Sequence, residues 1–229
     1  MKDALSDWLK YFSDLGFEDS FRAERSKARE AESPGSSTAV ETRSRQLQEL
    51  ADQASLCTRC GLAAKRHSVV FGAGNPNANL MFIGEGPGAE EDRQGLPFVG
   101  AAGSLLTKII EAIGLSRADV YIANIVKCRP PGNRDPKPEE VAACRGYLER
   151  QIALVQPEVI VALGRVAAQS LLGEGTPIGK LRGHWHSAFG VTLMPTYHPA
   201  ALLRNSSFKR PVWEDMQRVR DRLNELSPK

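Results

Sequence analysis

Asn79-Leu80-Met81-Phe82-Ile83-Gly84-Glu85-Gly86-Pro87-Gly88 decides how the rest of the chain is read. Leu80–Ile83 is an apolar run of strand length, and the glycine-rich turn behind it occupies the carboxyl end of that strand, where α/β folds place ligands. Downstream, short apolar runs alternate with longer stretches of helical periodicity: Gly103–Ile113, Val120–Val126, Pro138–Gln156, Val159–Leu163 and Arg165–Leu172. That alternation predicts βαβ units around a parallel sheet, an α/β fold in three layers. His184–Phe189 and Val191–Pro195, around Gly190, read as a hairpin or paired strands, and Pro211–Leu226 as a closing helix with proline in its first turn. No repeat of 20 to 50 residues is present.

Upstream, Leu5, Trp8, Leu9, Phe12, Leu15 and Phe17 follow mostly helical spacing, so residues 1–22 are expected to form an amphipathic helix. Residues 23–45 are charged, then small and polar, and are read as a flexible linker. The folded domain is expected over residues 46–229, opening with a short helix that runs into Cys57. The 229 residues, 41% hydrophobic and 25% charged, suffice for one domain plus an appendage and exclude a small stapled scaffold. No run approaches the roughly 18 apolar residues of a membrane span. Four cysteines, no leading apolar stretch, and Asp3 and Asp7 near the start argue against a secreted disulfide framework and for the reducing cytoplasm. Residues 1–50 carry 8 Lys+Arg against 10 Asp+Glu, and the remainder 22 against 17, so the net +3 belongs to the second part of the chain. Such a charge permits a nucleic-acid partner without demanding one.

Cys57 and Cys60 form a C-x-x-C pair; Cys128 follows the run Val120–Val126, and Cys144 lies within the expected helix Pro138–Gln156. Four soft thiolates suit tetrahedral zinc or a four-iron cluster. A zinc ribbon normally repeats the close pair, whereas the second pair here is split by a loop and half a helix, which puts the iron–sulfur cluster first. A redox C-x-x-C is disfavoured because Cys57 precedes the first strand.

The turn Gly84–Asp92 superficially matches a dinucleotide fingerprint, but Pro87 and four acidic residues disfavour a pyrophosphate there. Phe98, between Pro97 and Val99, is either a stacking platform or ordinary core. His198-Pro199-Ala200-Ala201-Leu202-Leu203-Arg204 follows the apolar run Val191–Met194, again at a strand's carboxyl end. Arg204, Lys209 and Arg210, with Lys127, Arg129, Arg134 and Lys137, form two basic loops that could grip phosphates. An apolar residue between such groups is arranged as a wedge for a base stack, or equally as the buried face of a capped helix.

Taken in order, Gly84-Glu85-Gly86-Pro87-Gly88, Leu96-Pro97-Phe98-Val99-Gly100, Asn124 before Val126-Lys127-Cys128-Arg129-Pro130-Pro131, and His198–Arg204 resemble the iron–sulfur type (family 4) of uracil-DNA glycosylase over roughly residues 50 to 222. The resemblance implies a three-layer α/β/α fold with a central, mainly parallel four-stranded sheet. It implies a [4Fe-4S] cluster on Cys57, Cys60, Cys128 and Cys144, structural because glycosidic hydrolysis transfers no electrons. It implies an enzyme that extrudes deoxyuridine from single- or double-stranded DNA and hydrolyses its N-glycosidic bond, the first step of base-excision repair. On this reading Phe98 stacks on uracil, Asn124 reads its O4 and N3–H, Glu91 blocks the C5-methyl of thymine, and Gly86 lines the base pocket. His198 hydrogen-bonds O2 and stabilises the charge that develops on the leaving base. Related glycosylases orient water with an Asp where this chain has Gly86, so Glu85 either takes that part or only shapes the pocket. Leu202 fills the gap left by the flipped base, while Arg204 and Lys209 hold the backbone. The expected partner is uracil-containing DNA bound by a monomer, with no membrane; the amino-terminal helix is a docking element or an arm for a protein partner. Two alternatives stay open: capture of uracil-DNA without turnover, although the basic insertion that would mark it is missing between Gly84 and Gly103, and a zinc-dependent nucleic-acid-binding module.

Overall fold

Runs such as Leu80–Ile83 and Val159–Leu163 lack the polar alternation of a half-solvated strand, and in the computed structural model, which describes residues 36–226, they are buried along their whole length. The strands are β1 (Ala73–Gly74), β2 (Leu80–Gly84), β3 (Tyr121–Asn124), β4 (Val159–Leu163), β5 (His186–Ala188) and β6 (Val191–Thr196). They form one sheet in the order β1-β3-β2-β4-β6-β5. The four central strands are parallel, and β1 and β5 pair antiparallel at the two edges. The expected four-stranded core is thus present with a short strand added on each side. Phe189 and Gly190, both at positive φ, make the two-residue turn between β5 and β6.

The helices are α1 (Ser36–Ser55), α2 (Ala89–Gln94), α3 (Ala101–Ala112), α4 (Pro138–Val155), α5 (Arg165–Leu172), α6 (Ile178–Leu181), α7 (Pro199–Arg204) and α8 (Lys209–Leu226). Alternate strand residues bury opposite faces. Met81, Ile83, Tyr121, Ala123, Ile160 and Ala162 join one core cluster with Leu50, Leu148, Ile152 and Ala168, whereas Leu80, Phe82, Ile122, Val159 and Val161 are buried outside that cluster. A sheet covered on both faces is the middle of three layers.

Helix α1 already spans Ser36, the first described residue, ten residues ahead of the domain start expected at Gln46, so the carboxyl end of the proposed linker is helical. The proposed helix over residues 1–22 lies outside the described residues. No helix among the described residues is long and apolar enough to cross a membrane.

Candidate active site

The carboxyl ends of β2, β3, β4 and β6 come out on one side of the sheet, and the side chains just beyond them surround a cavity of about 470 Å³. Glu85, Gly86, Glu91, Phe98, Asn124, His198 and Arg204 line it, together with Pro130, Asn133, Arg134 and Asp135. The parallel register sets Gly84 opposite Asn124. A Cβ on Gly84 would lie 2.5 Å from Asn124 Oδ1 and 2.6 Å from Phe98 Cζ, so only glycine lets the amide and the ring close on each other. Asn124 is 1% exposed, and its Oδ1 has no hydrogen-bond partner among the described residues. A buried amide oxygen left unpaired is costly unless something else supplies its donor.

Phe98 is 7% exposed yet forms part of the cavity wall, with φ at 53°. A bulky residue in the left-handed region is held there by its surroundings. Arg117 donates from Nη1 to the Phe98 carbonyl at 3.2 Å and from Nη2 to the Pro97 carbonyl at 2.9 Å. Gly103 gives the loop room, since a Cβ there would lie 1.9 Å from the Phe98 carbonyl oxygen. Glu91 braces the same loop: its carboxylate accepts from Gly88 N at 3.1 Å and from Val99 N and Gly100 N at 3.0 Å each. Its position is therefore fixed by three backbone amides.

His198 caps α7, its Nδ1 accepting from Ala200 N at 3.1 Å. A ring nitrogen that accepts carries no proton, so the hydrogen of the neutral ring sits on Nε2. Burial, aided by Arg204, pushes the His198 pKa down to about 4, and the ring is neutral at physiological pH. It lies 5.6 Å from the Phe98 ring between centroids. Gly164, at φ 91°, lets the end of β4 approach His198, whose Cβ would be 2.9 Å from any side chain there. Glu85 moves the opposite way: burial first, then the charge of Asp135, raises its pKa to about 7 against the lowering influence of Arg165.

The DNA-facing expectations divide. Leu202 is 2% exposed and so cannot serve as a wedge in this conformation; helical spacing puts it with buried Pro199 on the inner face of α7. Its neighbour Leu203, 55% exposed, points outward. Arg204 is exposed on the cavity wall, whereas Lys209, the first residue of α8, is partly buried and not among the lining residues. Lys127 is no phosphate-gripping residue: it is 1% exposed, and its Nζ donates to the Asn124 carbonyl at 2.9 Å and to Gln151 Oε1.

Cys57 and Cys60 from the segment after α1, Cys128 beyond β3 and Cys144 on α4 line one second cavity. Arg66 Nη1 donates to Cys128 Sγ at 3.4 Å and Lys127 N to Cys144 Sγ at 3.3 Å, the kind of N–H···S support a thiolate cage uses. No three His, Cys, Asp or Glu side chains among the described residues stand as a group able to hold a single metal ion. All four thiols are unbridged.

Sequence reasoning missed Arg117, which looks like any surface arginine, and the Thr196–Asp215–Arg182 network below His198. There Asp215 accepts from Thr196 Oγ1 at 2.6 Å and from Arg182 at 2.6 and 3.0 Å, which fixes the strand end two residues before the histidine. A lone Asp in the pattern of a closing helix carries no signal of that contact.

Comparison with known proteins sets these features in a family. The sequence model of the Uracil DNA glycosylase superfamily matches residues 71–217. The chain is 45% identical over 185 residues to the Type-4 uracil-DNA glycosylase of Thermotoga maritima, covering 78% of this chain and 95% of that protein. It is 44% identical over 187 residues to the protein of the same name from Saccharolobus solfataricus (78% and 87%), and 41% over 190 residues to that of Archaeoglobus fulgidus (80% and 96%). Fold, cavity and sequence together place the chain in the Uracil DNA glycosylase superfamily, as a member of its type-4 branch.

Proposed function

We propose that the chain is a uracil-DNA glycosylase that hydrolyses the N-glycosidic bond of deoxyuridine in DNA, releasing uracil and leaving an abasic site for base-excision repair. One observation carries the reading: a buried amide oxygen, Asn124 Oδ1, lacks a donor on the wall of a cavity that also holds a neutral histidine with its proton on Nε2. Uracil supplies both complements, N3–H for the amide oxygen and O2 for the histidine. Cytosine offers an unprotonated N3 to the same oxygen and is rejected. Phe98 stacks on the base, and Glu91, fixed by three amides, is the rigid wall against a C5-methyl group.

In the reaction the C1′–N1 bond breaks with its electron pair passing to the base. The charge gathers on O2, where the His198 Nε2–H meets it. Water adds to C1′ of the oxocarbenium-like sugar and gives its proton to Glu85, whose pKa of about 7 suits that task. Uracilate takes up one proton from solvent and leaves as neutral uracil, and Glu85 gives the proton it received back to solvent, which restores the carboxylate. Arg204 and Lys209 contact the backbone.

Cys57, Cys60, Cys128 and Cys144 hold a [4Fe-4S] cluster. Four soft sulfur donors on one cavity, two of them reached by N–H groups of Arg66 and Lys127, would fit such a cluster. The cluster, when bound, cross-links the segment after α1 to the loop that carries Arg129 and Arg134.

The test incubates purified protein with an oligonucleotide holding one uracil, beside cytosine and thymine controls, and scores alkali-labile breaks. Multiple turnovers at uracil alone are expected, from a brown protein with visible iron–sulfur absorbance. A retained complex without breaks would establish capture instead, and a colourless protein with stoichiometric zinc would remove the cluster.

The wedge is assigned to Leu203, because Leu202 is buried. Leu203→Ala is expected to lower excision from duplex about tenfold while changing single-stranded substrate less than about twofold. Equal losses on the two substrates would exclude a wedge at this position.

A further inference from the structure

Glu85 is the one carboxylate of the cavity whose charge is both needed and in question. The titratable and charged groups that share its cavity are Glu91, Arg134, Asp135, His198 and Arg204, with Arg165 bearing on it from the start of α5. Most of these are committed elsewhere. Glu91 is spent on three backbone amides. Arg134 grips Glu140 in a two-pronged pair at 2.8 and 2.6 Å. His198 is neutral, and Arg204 bears on His198. What remains is Asp135 and Arg165, ion-paired to each other, with Asp135 on the wall shared between the Glu85 cavity and a neighbouring cavity that Arg165 also lines.

We propose that Asp135, held by Arg165, is a positioning residue for the reaction, and that this pair, on the wall of the Glu85 cavity, tunes the charge in which Glu85 meets the attacking water. The inference rests on the role assigned above to Glu85. Burial does most to hold the Glu85 proton; on top of it Asp135, which shares the cavity wall, opposes loss of that proton and Arg165, ion-paired to Asp135, favours it. The pair also links this charge to the DNA: a phosphate approaching Arg165 would compete with Asp135 for the guanidinium and leave the Asp135 charge less compensated.

The sign of the effect distinguishes this from a structural role. Because water activation needs ionised Glu85, the single-turnover rate should rise with pH, with its midpoint at about 7, and level off on the alkaline side. Asp135→Asn removes the negative neighbour and should shift that rise to lower pH by about half a unit or more, so the variant is faster than the native protein on the acid side. Arg165→Gln should shift it to higher pH by a similar amount. Both shifts should shrink at about 1 M salt, since both side chains are half exposed.

The measurement is excision from a single-stranded uracil oligonucleotide between about pH 5 and 9, for the native protein and the variants Asp135→Asn, Arg165→Gln and Glu85→Gln. Opposite shifts in the two pair variants, with no rise left in Glu85→Gln, support the proposal. Unmoved or parallel profiles in the two pair variants, with the rise absent from Glu85→Gln, overturn it and leave Glu85 in place. A rise that persists in Glu85→Gln overturns the role of Glu85 and this inference with it.

Discussion

His198→Asn is expected to excise uracil about 10²–10³-fold more slowly in single turnover, with affinity for uracil-containing DNA little changed. Asparagine is chosen because it is itself a good helix cap and can replace Nδ1 as acceptor for Ala200 N, so α7 keeps its start. What it cannot do is carry a donor as far into the cavity as Nε2. The loss therefore reports on the hydrogen bond to O2 that strengthens as charge leaves the sugar. The histidine itself should contribute no step to the pH profile in the neutral range, because its pKa is lowered to about 4. Stability follows with a definite sign. Between the ordinary histidine pKa near 6.5 and about 4, the unfolded chain takes up a proton that the folded one refuses, so the contribution of His198 is intact above that window and is lost as pH falls through it. Single-turnover rates within about tenfold of native for His198→Asn would sink the assigned role.

Asn124→Leu should separate function from stability more sharply. The amide is 1% exposed and its oxygen has no partner, so folding already carries the cost of an unpaired buried acceptor, on the order of 1–3 kcal/mol. Leucine is close in size and has nothing to leave unpaired. Its unfolding midpoint should equal or exceed that of the native protein. Excision of uracil should nonetheless fall by at least about 10²-fold, because the base then buries its own N3–H and O4 against an apolar wall. Urea unfolding beside single-turnover excision checks both halves; a variant that is destabilised by more than about 2 kcal/mol, or that keeps its rate, contradicts the reading.

The parallel strands were legible because Leu80–Ile83 and Val159–Leu163 are uninterrupted apolar runs that the sheet buries on both faces. The two-residue β1 was not, since a strand of that length has no periodicity to read. The first described turn of α1 was obscured by composition: Ser36-Ser37-Thr38 has the look of a linker, yet the helix runs through it. Asn124 and His198 were legible as cavity residues because motif and strand end coincide, and Phe98 through its motif alone, since it lies in the loop between α2 and α3. The choice between Leu202 and Leu203 was not, because adjacent leucines are equivalent in a pattern and only the rotation of α7 tells them apart. Glu85 was visible as a residue, but the Asp135–Arg165 pair that surrounds it joins positions thirty residues apart in sequence.

The sheet's borders bear on how the protein behaves in a crowded solution. The outermost strands are only two and three residues long, so each offers few free backbone groups to a strand from another molecule. Short borders of this kind discourage edge-to-edge aggregation. The chain can thus leave the open ends of four central strands to its substrate without presenting a long sticky flank beside them.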